Sequence, residues 1–161
     1  MYPTKSDLAE STRRQMIELC NARLADAIDL QTQTKQAHWN VKGPHFIALH
    51  ELFDKVNADV EDYVDLIAER AVQLGGAVEG TARSVAKRST LTEYPAVKGG
   101  DGNEHVDALS SALASFGKLA RAAAEDSDRA GDANTNDIFV EISRGVDKWL
   151  WMLEAHLQSD A

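Results

Sequence analysis

One uninterrupted helical segment constrains the fold of this chain more than any other feature of its sequence. After Gly43-Pro44, neither proline nor glycine occurs before Gly75-Gly76, so the sequence predicts one helix that begins near Pro44 and ends near Leu74. At about 100° per residue, six apolar side chains fall on a single stripe of this helix. They are Leu49, Phe53, Val56, Val60, Tyr63 and Ile67. Such a stripe predicts packing against other helices in a bundle.

A second face of the same helix, here called the ligand face, gathers side chains of the kinds that bind metal ions. It comprises His50, Asp54, Glu61, Asp65 and Glu69, which fall within roughly 100° around the helix axis. An ordinary solvated face mixes basic residues among its acids, but the basic residue near the middle of this helix, Lys55, points elsewhere. Composition alone leaves two interpretations open, a metal site or a polar interface between two helices.

The spacing along the ligand face favours a site that two chains share. His50 and Asp54 are four residues apart and are neighbours on a helix surface. Asp65 and Glu69 form a second such pair. The two pairs lie about 16 Å apart along a helix, whereas ligand atoms lie about 2.0–2.2 Å from a metal ion. A two-fold axis near Asp59-Val60 would set the first pair of one chain against the second pair of its partner and give two equivalent sites.

The remaining sequence predicts three more long helices and one long connection. The helices are expected at about residues 8–39, 103–124 and 136–157. Ser6 or Asp7 is the expected N-cap of the first helix, and Thr135 is the expected N-cap of the last. Residues 126–136 are expected to form a polar turn between the last two helices.

A long crossover, residues 77–101, separates the second helix from the third and contains a short helix near residues 82–87. A simple up-and-down bundle does not need so long a connection. We therefore expect one all-α domain spanning residues 1–161, a ferritin-like four-helix bundle with a short extra helix in the crossover. A short N-terminal tail, residues 1–7, precedes it.

Composition excludes several classes of function. The 17 lysine and arginine residues against 26 acidic residues give a net charge of −9, which argues against general affinity for nucleic acid or anionic membranes and suits a protein that handles cations. No apolar run approaches the length of a membrane span, and the first residues lack the apolar core of a signal peptide. The single cysteine, Cys20, fits the reducing cytoplasm and is expected to be a buried, inert thiol.

Two familiar metal motifs fail to match. The segment from His50 to Asp54, HELFD, resembles the zinc protease pattern HExxH, but aspartate replaces its second histidine. The Glu-x-x-His pairs of di-iron bundles with a site inside one subunit are absent. The sequence therefore predicts neither a zinc protease nor an ordinary ferritin.

Four segments resemble the Dps family, the mini-ferritins that protect bacteria in starvation and oxidative stress. They are TKQAHWNVKGPHFIALHELFD, DLIAERAVQLGG, Tyr94-Pro95 in the crossover and SRGVDKWLWMLEAH in the last helix. The resemblance implies a cytoplasmic shell of twelve subunits, associated with the nucleoid where a member binds DNA. It also implies oxidation of ferrous iron with hydrogen peroxide, or with dioxygen, and storage of ferric mineral inside the shell.

The resemblance also implies which residues bind iron. The family's ferroxidase ligands fall on His38, His50 and Asp54 of one subunit and on Asp65 and Glu69 of its two-fold mate. We expect two iron ions per site, with zinc as a competitor, and Glu69 as the ligand that bridges them. Asp65 either binds iron or orients a histidine. Trp39 resembles the family's site-side tryptophan, a catalytic residue that quenches stray oxidising equivalents, although plain packing is an equal alternative.

Other residues carry weaker expectations. Trp149 and Trp151 are expected in the core or at a subunit interface. Acids near the last turn either line an iron-entry pore at a three-fold axis or form a solvated loop. They are Asp126, Asp128, Asp132 and Asp137. Glu51 is a candidate for mineral nucleation in the cavity.

Two alternative functions remain open beside a ferroxidase. One is a structural protein that compacts DNA in the nucleoid, and the other is an oligomeric metal-binding scaffold without turnover. Family members that bind DNA use mobile, lysine-rich tails, whereas the tail here contains only Lys5, and Arg13 and Arg14 lie in the first helix. Binding to phosphates needs several cations on one surface, so DNA binding is not expected at physiological salt.

Overall fold

Five helices follow one another along the chain in a computed structural model, which describes residues 1–96 and 102–158. They are α1 (Glu10–Asn40), α2 (Phe46–Gln73), α3 (Ala82–Arg88), α4 (Gly102–Arg129) and α5 (Ala133–Glu154). The hairpin of α1 and α2 packs against the hairpin of α4 and α5, and the short α3 lies against α1. The predicted all-α, four-helix bundle with an extra helix in its crossover is therefore confirmed. No helix within these ranges is long and apolar enough to cross a membrane.

The predicted apolar stripe of α2 forms one wall of the core. All six of its side chains are buried, and they belong to one cluster with apolar side chains of α1, α4 and α5, among them Leu24, Phe116 and Ile142. Cys20 joins the same cluster, and burial raises the pKa of its thiol to about 12, which keeps it protonated. Because the stripe of α2 is used inside the subunit, its ligand face points away from the core.

Two helix starts differ from the predictions. α1 begins at Glu10 without a side-chain cap, because the Ser6 hydroxyl instead accepts a hydrogen bond from the Leu8 N–H inside the tail, at 3.3 Å. α2 begins at Phe46, two residues later than expected, because Gly43 takes a positive φ of 98° and Pro44 completes the turn before the helix.

The turn between α4 and α5 is also shorter than predicted. α4 continues to Arg129, which pairs with Glu125 and Asp126 on the helix surface, and Gly131 then reverses the chain with a φ of 77°. Asp132, not Thr135, is the N-cap of α5. Its carboxylate accepts hydrogen bonds from the Thr135 N–H at 3.1 Å and from the Thr135 hydroxyl at 2.6 Å.

The crossover is fixed along α1 by buried polar contacts. The carboxylate of Asp26 accepts hydrogen bonds from the Thr90 N–H at 2.7 Å and the Thr90 hydroxyl at 3.0 Å. The Gln33 amide donates to the Thr92 carbonyl at 3.0 Å. The part of the expected crossover at residues 97–101, and the chain end at residues 159–161, lie outside the described residues.

Candidate metal centre

Two histidines meet where α1 ends and α2 begins. The Nδ1 atom of His38 lies 2.9 Å from the carbonyl oxygen of His50, and the Nδ1 atom of His50 lies 2.9 Å from the carbonyl oxygen of His38. Because a carbonyl oxygen only accepts, each Nδ1 carries the proton of its hydrogen bond, and in the neutral ring Nε2 is then the nitrogen with the free lone pair. The rings stack with their centroids 3.7 Å apart. Backbone carbonyls thus hold both rings in the tautomer that a metal ion needs.

A carboxylate stands beside the two rings, one turn further along α2. Oδ1 of Asp54 lies 3.8 Å from Nδ1 of His38 and 2.7 Å from the ammonium nitrogen of Lys35. The hydrogen bond from Lys35 holds the pKa of Asp54 below its usual value, and the nearby histidines act in the same direction. The structure therefore places three of the five predicted ligands near one another, although they are not grouped around one point, and the Lys35 ammonium bonds the carboxylate of Asp54.

Lys35 is not among the residues that the sequence predicts at this site. It lies three residues before His38 on α1, so both side chains project from the same face of that helix. The sequence shows this spacing, but the role of Lys35 depends on Asp54, which α2 places beside it in the fold.

The other two predicted ligands lie elsewhere on the same subunit. Asp65 and Glu69 are exposed on α2, and Glu69 follows Asp54 by fifteen residues, or about 22 Å along the helix. Glu69 borders a shallow apolar depression lined by Ala68, Val72 and Val78. Within residues 1–96 and 102–158 of one chain, no three histidine, cysteine or acidic side chains are grouped to hold a metal ion. The five predicted ligands therefore do not meet within one subunit.

The three tryptophans have different environments. Trp39, next to His38, is 68% exposed and lines an open groove together with Lys35 and the crossover. Trp149 is buried, and its indole N–H donates to Asp59 Oδ2 at 2.7 Å, which confirms its expected place in the core. Trp151 is 62% exposed, so it is not a core residue of the subunit.

One of the four acids expected near an entry pore, Asp132, lies inside the subunit and not on its surface. Asp132 is buried, caps α5 and pairs with the guanidinium of Arg70 at 2.7 Å, so it cannot line a channel. Its charge is compensated inside the subunit by that arginine and by the helix N-terminus. Asp126 pairs with Arg129 on the surface, while Asp128 and Asp137 are exposed.

Known proteins share this architecture over nearly the whole chain. A family profile described as Ferritin-like domain matches residues 17–161. The DNA protection during starvation protein of Agrobacterium fabrum is 45% identical over 157 residues, covering 98% of this chain and 96% of that relative. Mycobacterium smegmatis Dps superposes with a TM-score of 0.93 at 28% identity, covering 100% of this chain and 91% of that one. DpsA14 from Streptomyces coelicolor gives 0.91 at 32% identity, with 98% and 92% covered.

Proposed function

The chain belongs to the Dps family of ferritin-like proteins, and from this premise we propose that it is a ferroxidase and an iron store. Two ferrous ions would be oxidised at each of the sites that pairs of subunits share, with hydrogen peroxide as the preferred oxidant and dioxygen as a slower one. The ferric product would collect inside a hollow shell of twelve subunits. We place this activity in the bacterial cytoplasm.

The observation that carries the proposal is the symmetry of α2 about its own midpoint. His50 and Glu69 are equally distant in sequence from the point between residues 59 and 60, and so are Asp54 and Asp65. An antiparallel contact between two copies of α2 around that point therefore sets the histidine end of one subunit against the acidic end of its partner. The two subunits together would then form two complete sites, each with ligands from both chains.

Exposed apolar residues support the same axis independently of the ligands. Ile47 and Val72 are apolar side chains on the otherwise polar ligand face of α2, where they are 61% and 53% exposed. They too are equally distant from the point between residues 59 and 60. The proposed contact would cover Ile47 with the partner's Val72 and remove both side chains from water.

The donor set suits iron that changes its oxidation state. The two Nε2 atoms of His38 and His50 suit ferrous iron, and the carboxylates of Asp54, the partner's Asp65 and the partner's Glu69 suit the harder ferric ion. Zinc accepts the same nitrogen and oxygen ligands and would compete for the site. Two ferrous ions held together would give peroxide two electrons and yield water, whereas one ion alone would release hydroxyl radical.

Iron oxidation kinetics test the proposal against a scaffold that binds metal without turnover. Metal-free protein is mixed with ferrous iron and then with hydrogen peroxide without air, or with dioxygen, and a spin trap monitors hydroxyl radical. We expect two ferrous ions oxidised per peroxide, faster than with dioxygen, and little trapped radical. Iron that binds but is oxidised no faster than in buffer would contradict the proposal.

Replacing Lys35 by glutamine should tighten the binding of a divalent metal ion by up to about fivefold. The ammonium of Lys35 competes with the metal ion for the carboxylate of Asp54. Both side chains are partly exposed, so the change in metal affinity stays small. Calorimetric titration of the metal-free protein with cobalt(II) measures it, with the exposed Lys118→Gln as the matched control. Weaker binding to Lys35→Gln than to Lys118→Gln would mean that Lys35 supports the site instead.

Assembly should depend on Ile47. We expect the unmodified chain to form a large closed oligomer of twelve subunits at neutral pH. Ile47→Asp should form smaller species, because its carboxylate would be buried against the partner's Val72, one helical turn from the partner's Glu69. Ile47→Val keeps the apolar contact and is the control. Light scattering measures the masses. A monomeric unmodified chain would contradict the shell, and an intact Ile47→Asp shell would contradict the placement of this residue.

The described N-terminal tail does not favour DNA compaction. The N-terminal tail is held against the bundle, because the Tyr2 N–H donates to the Gly75 carbonyl at 2.6 Å. The Arg13 guanidinium donates to the carbonyls of Leu8 and Leu74, and Arg14 pairs with Glu10. Arg13 and Arg14 thus have partners within the subunit, and the tail, whose one basic side chain is Lys5, is not a free basic arm.

We therefore expect no tight complex with duplex DNA at pH 7 and about 0.15 M salt, where screening reaches only about 8 Å. A net charge of −9 on every subunit repels the phosphates, and a shell multiplies this repulsion. A gel shift without magnesium is the measurement. Retarded DNA at submicromolar protein would favour the DNA-compacting function, and loss of that shift on deleting residues 1–7 would assign it to the tail.

A further inference from the structure

A tyrosine and a histidine outside the proposed ligand set form a partly buried hydrogen bond. The phenol oxygen of Tyr94, in the crossover, lies 2.5 Å from Nδ1 of His105, in the first turn of α4. The rings are nearly parallel, at 19°, and His105 is 1% exposed. Burial raises the pKa of Tyr94 well above its usual value, so the phenol stays protonated and donates a hydrogen bond to Nδ1.

The pair lies beside the groove that passes Lys35, the lysine whose ammonium bonds the predicted ligand Asp54. Tyr94 lines this groove together with Trp39 and Lys35, and Trp39 follows the predicted ligand His38 directly in sequence. The crossover is already fixed to α1 by Asp26 and Gln33, so these contacts hold it without a titratable pair at α4. Iron oxidation as proposed above uses neither Tyr94 nor His105.

A phenol in this setting is suited to one-electron oxidation. Loss of an electron makes the phenol strongly acidic, so oxidation is easier when a base that is already hydrogen-bonded to the hydroxyl takes the proton as the electron leaves. Imidazole holds that proton far better than an oxidised phenol does. Nδ1 of His105 is such a base, at hydrogen-bond distance along the existing contact.

We propose that Tyr94 and His105 form a proton-coupled redox pair that intercepts oxidising equivalents escaping from the metal centre. The oxidant is hydroxyl radical, formed when a single ferrous ion cleaves peroxide. Tyr94 gives up one electron and becomes a neutral phenoxyl radical, its proton moves to Nδ1 of His105 to give imidazolium, and hydroxyl radical becomes hydroxide. Trp39, in the same groove, is the aromatic side chain placed to pass the electron. This protective role rests on the proposed ferroxidase function, whereas the redox activity of the pair does not.

The chain contains three tyrosines, which allows a direct test without iron. In metal-free assembled protein, Tyr2→Phe/Tyr63→Phe leaves Tyr94 as the only tyrosine, and adding Tyr94→Phe gives the tyrosine-free control. Flash photolysis with a ruthenium tris-bipyridine photo-oxidant should give the phenoxyl absorption band in the first protein and none in the second. His105→Asn keeps a hydrogen-bond acceptor near the Nδ1 position but removes the base, so phenoxyl should form roughly 100-fold more slowly.

A second arm uses ferrous iron and hydrogen peroxide, with freeze-quench paramagnetic resonance as the readout. We expect a Tyr94 radical in the unmodified protein and its loss in Tyr94→Phe, with the rate of iron oxidation unchanged. No phenoxyl in the photochemical arm, or no effect of His105→Asn, would overturn the redox pair and leave a structural hydrogen bond. Iron oxidation without a Tyr94 radical would overturn the protective role. Absence of iron oxidation would overturn that role together with the ferroxidase function. The photochemical result would still show whether Tyr94 and His105 form a redox pair.

Discussion

Replacing Glu69 by glutamine is expected to slow ferrous iron oxidation at least about a hundredfold, although Glu69 lies about 22 Å along α2 from Asp54 of its own subunit. The reason is that, in the proposed assembly, Glu69 would serve the site of the partner, where it would be a ligand of the two iron ions. Glutamine keeps the size of the side chain but removes its negative charge. Residues that merely orient a metal ligand contribute about 10–100-fold, so a bridging ligand should contribute no less.

Glu61→Gln is the matched control for this prediction. Glu61 lies on the same exposed face of the same helix, but it is not among the predicted ligands. Stopped-flow oxidation with peroxide compares both variants with the unmodified protein, and light scattering confirms that the shell is intact. Full activity of Glu69→Gln in intact shells, or an equal loss in Glu61→Gln, would contradict the ligand assignment.

Gly145→Ala should destabilise the bundle by about 2 kcal/mol, even though alanine is the better helix former. A Cβ atom at Gly145 would lie 1.9 Å from the hydroxyl oxygen and 2.9 Å from Cζ of Tyr63, whose buried ring is held between α2 and α5. Overpacking of a core costs about 1–3 kcal/mol, and a contact this close belongs at the upper end. The gain in helix propensity, about 1 kcal/mol, offsets only part of it.

Thermal unfolding at one fixed protein concentration measures this effect, because assembly makes the midpoint concentration-dependent. Ser143→Ala, on the exposed side of α5, is the control and should change the midpoint little. Adding Tyr63→Phe to Gly145→Ala removes the closest atom and should restore part of the loss. An unfolding midpoint of Gly145→Ala at or above that of the unmodified protein would contradict the packing described for Tyr63.

Long helices and the core wall were predictable from the sequence, because both follow from local periodicity. The stripe of α2 from Leu49 to Ile67 repeats at helical spacing without an interrupting proline or glycine, and no distant contact is needed to recognise it. The crossover and its short helix followed in the same way from glycine and proline positions. The family resemblance, confirmed by the similarity to known proteins, agrees with this fold over nearly the whole chain.

Polar partners were less predictable, because they depend on residues far apart in sequence. In the sequence Asp132 is one of several acids near the last turn, and only the fold places Arg70, 62 residues earlier, beside it. Lys35 gained a role only through Asp54, and the reciprocal bonds of His38 and His50 depend on the turn that joins their helices. The ligand set itself remains a prediction, since half of each proposed site comes from a second chain.

Mixing two inactive variants tests the shared site most directly. Subunits carrying His50→Ala and subunits carrying Glu69→Gln are dissociated, combined in equal amounts and reassembled. Each mixed pair around a two-fold axis then has one site with both side chains intact and one site that lacks both. Random pairing makes about half of the pairs mixed, so about one quarter of the unmodified activity should return, against almost none in either parent. No recovery in shells that mass spectrometry shows to be mixed would contradict a site shared between subunits.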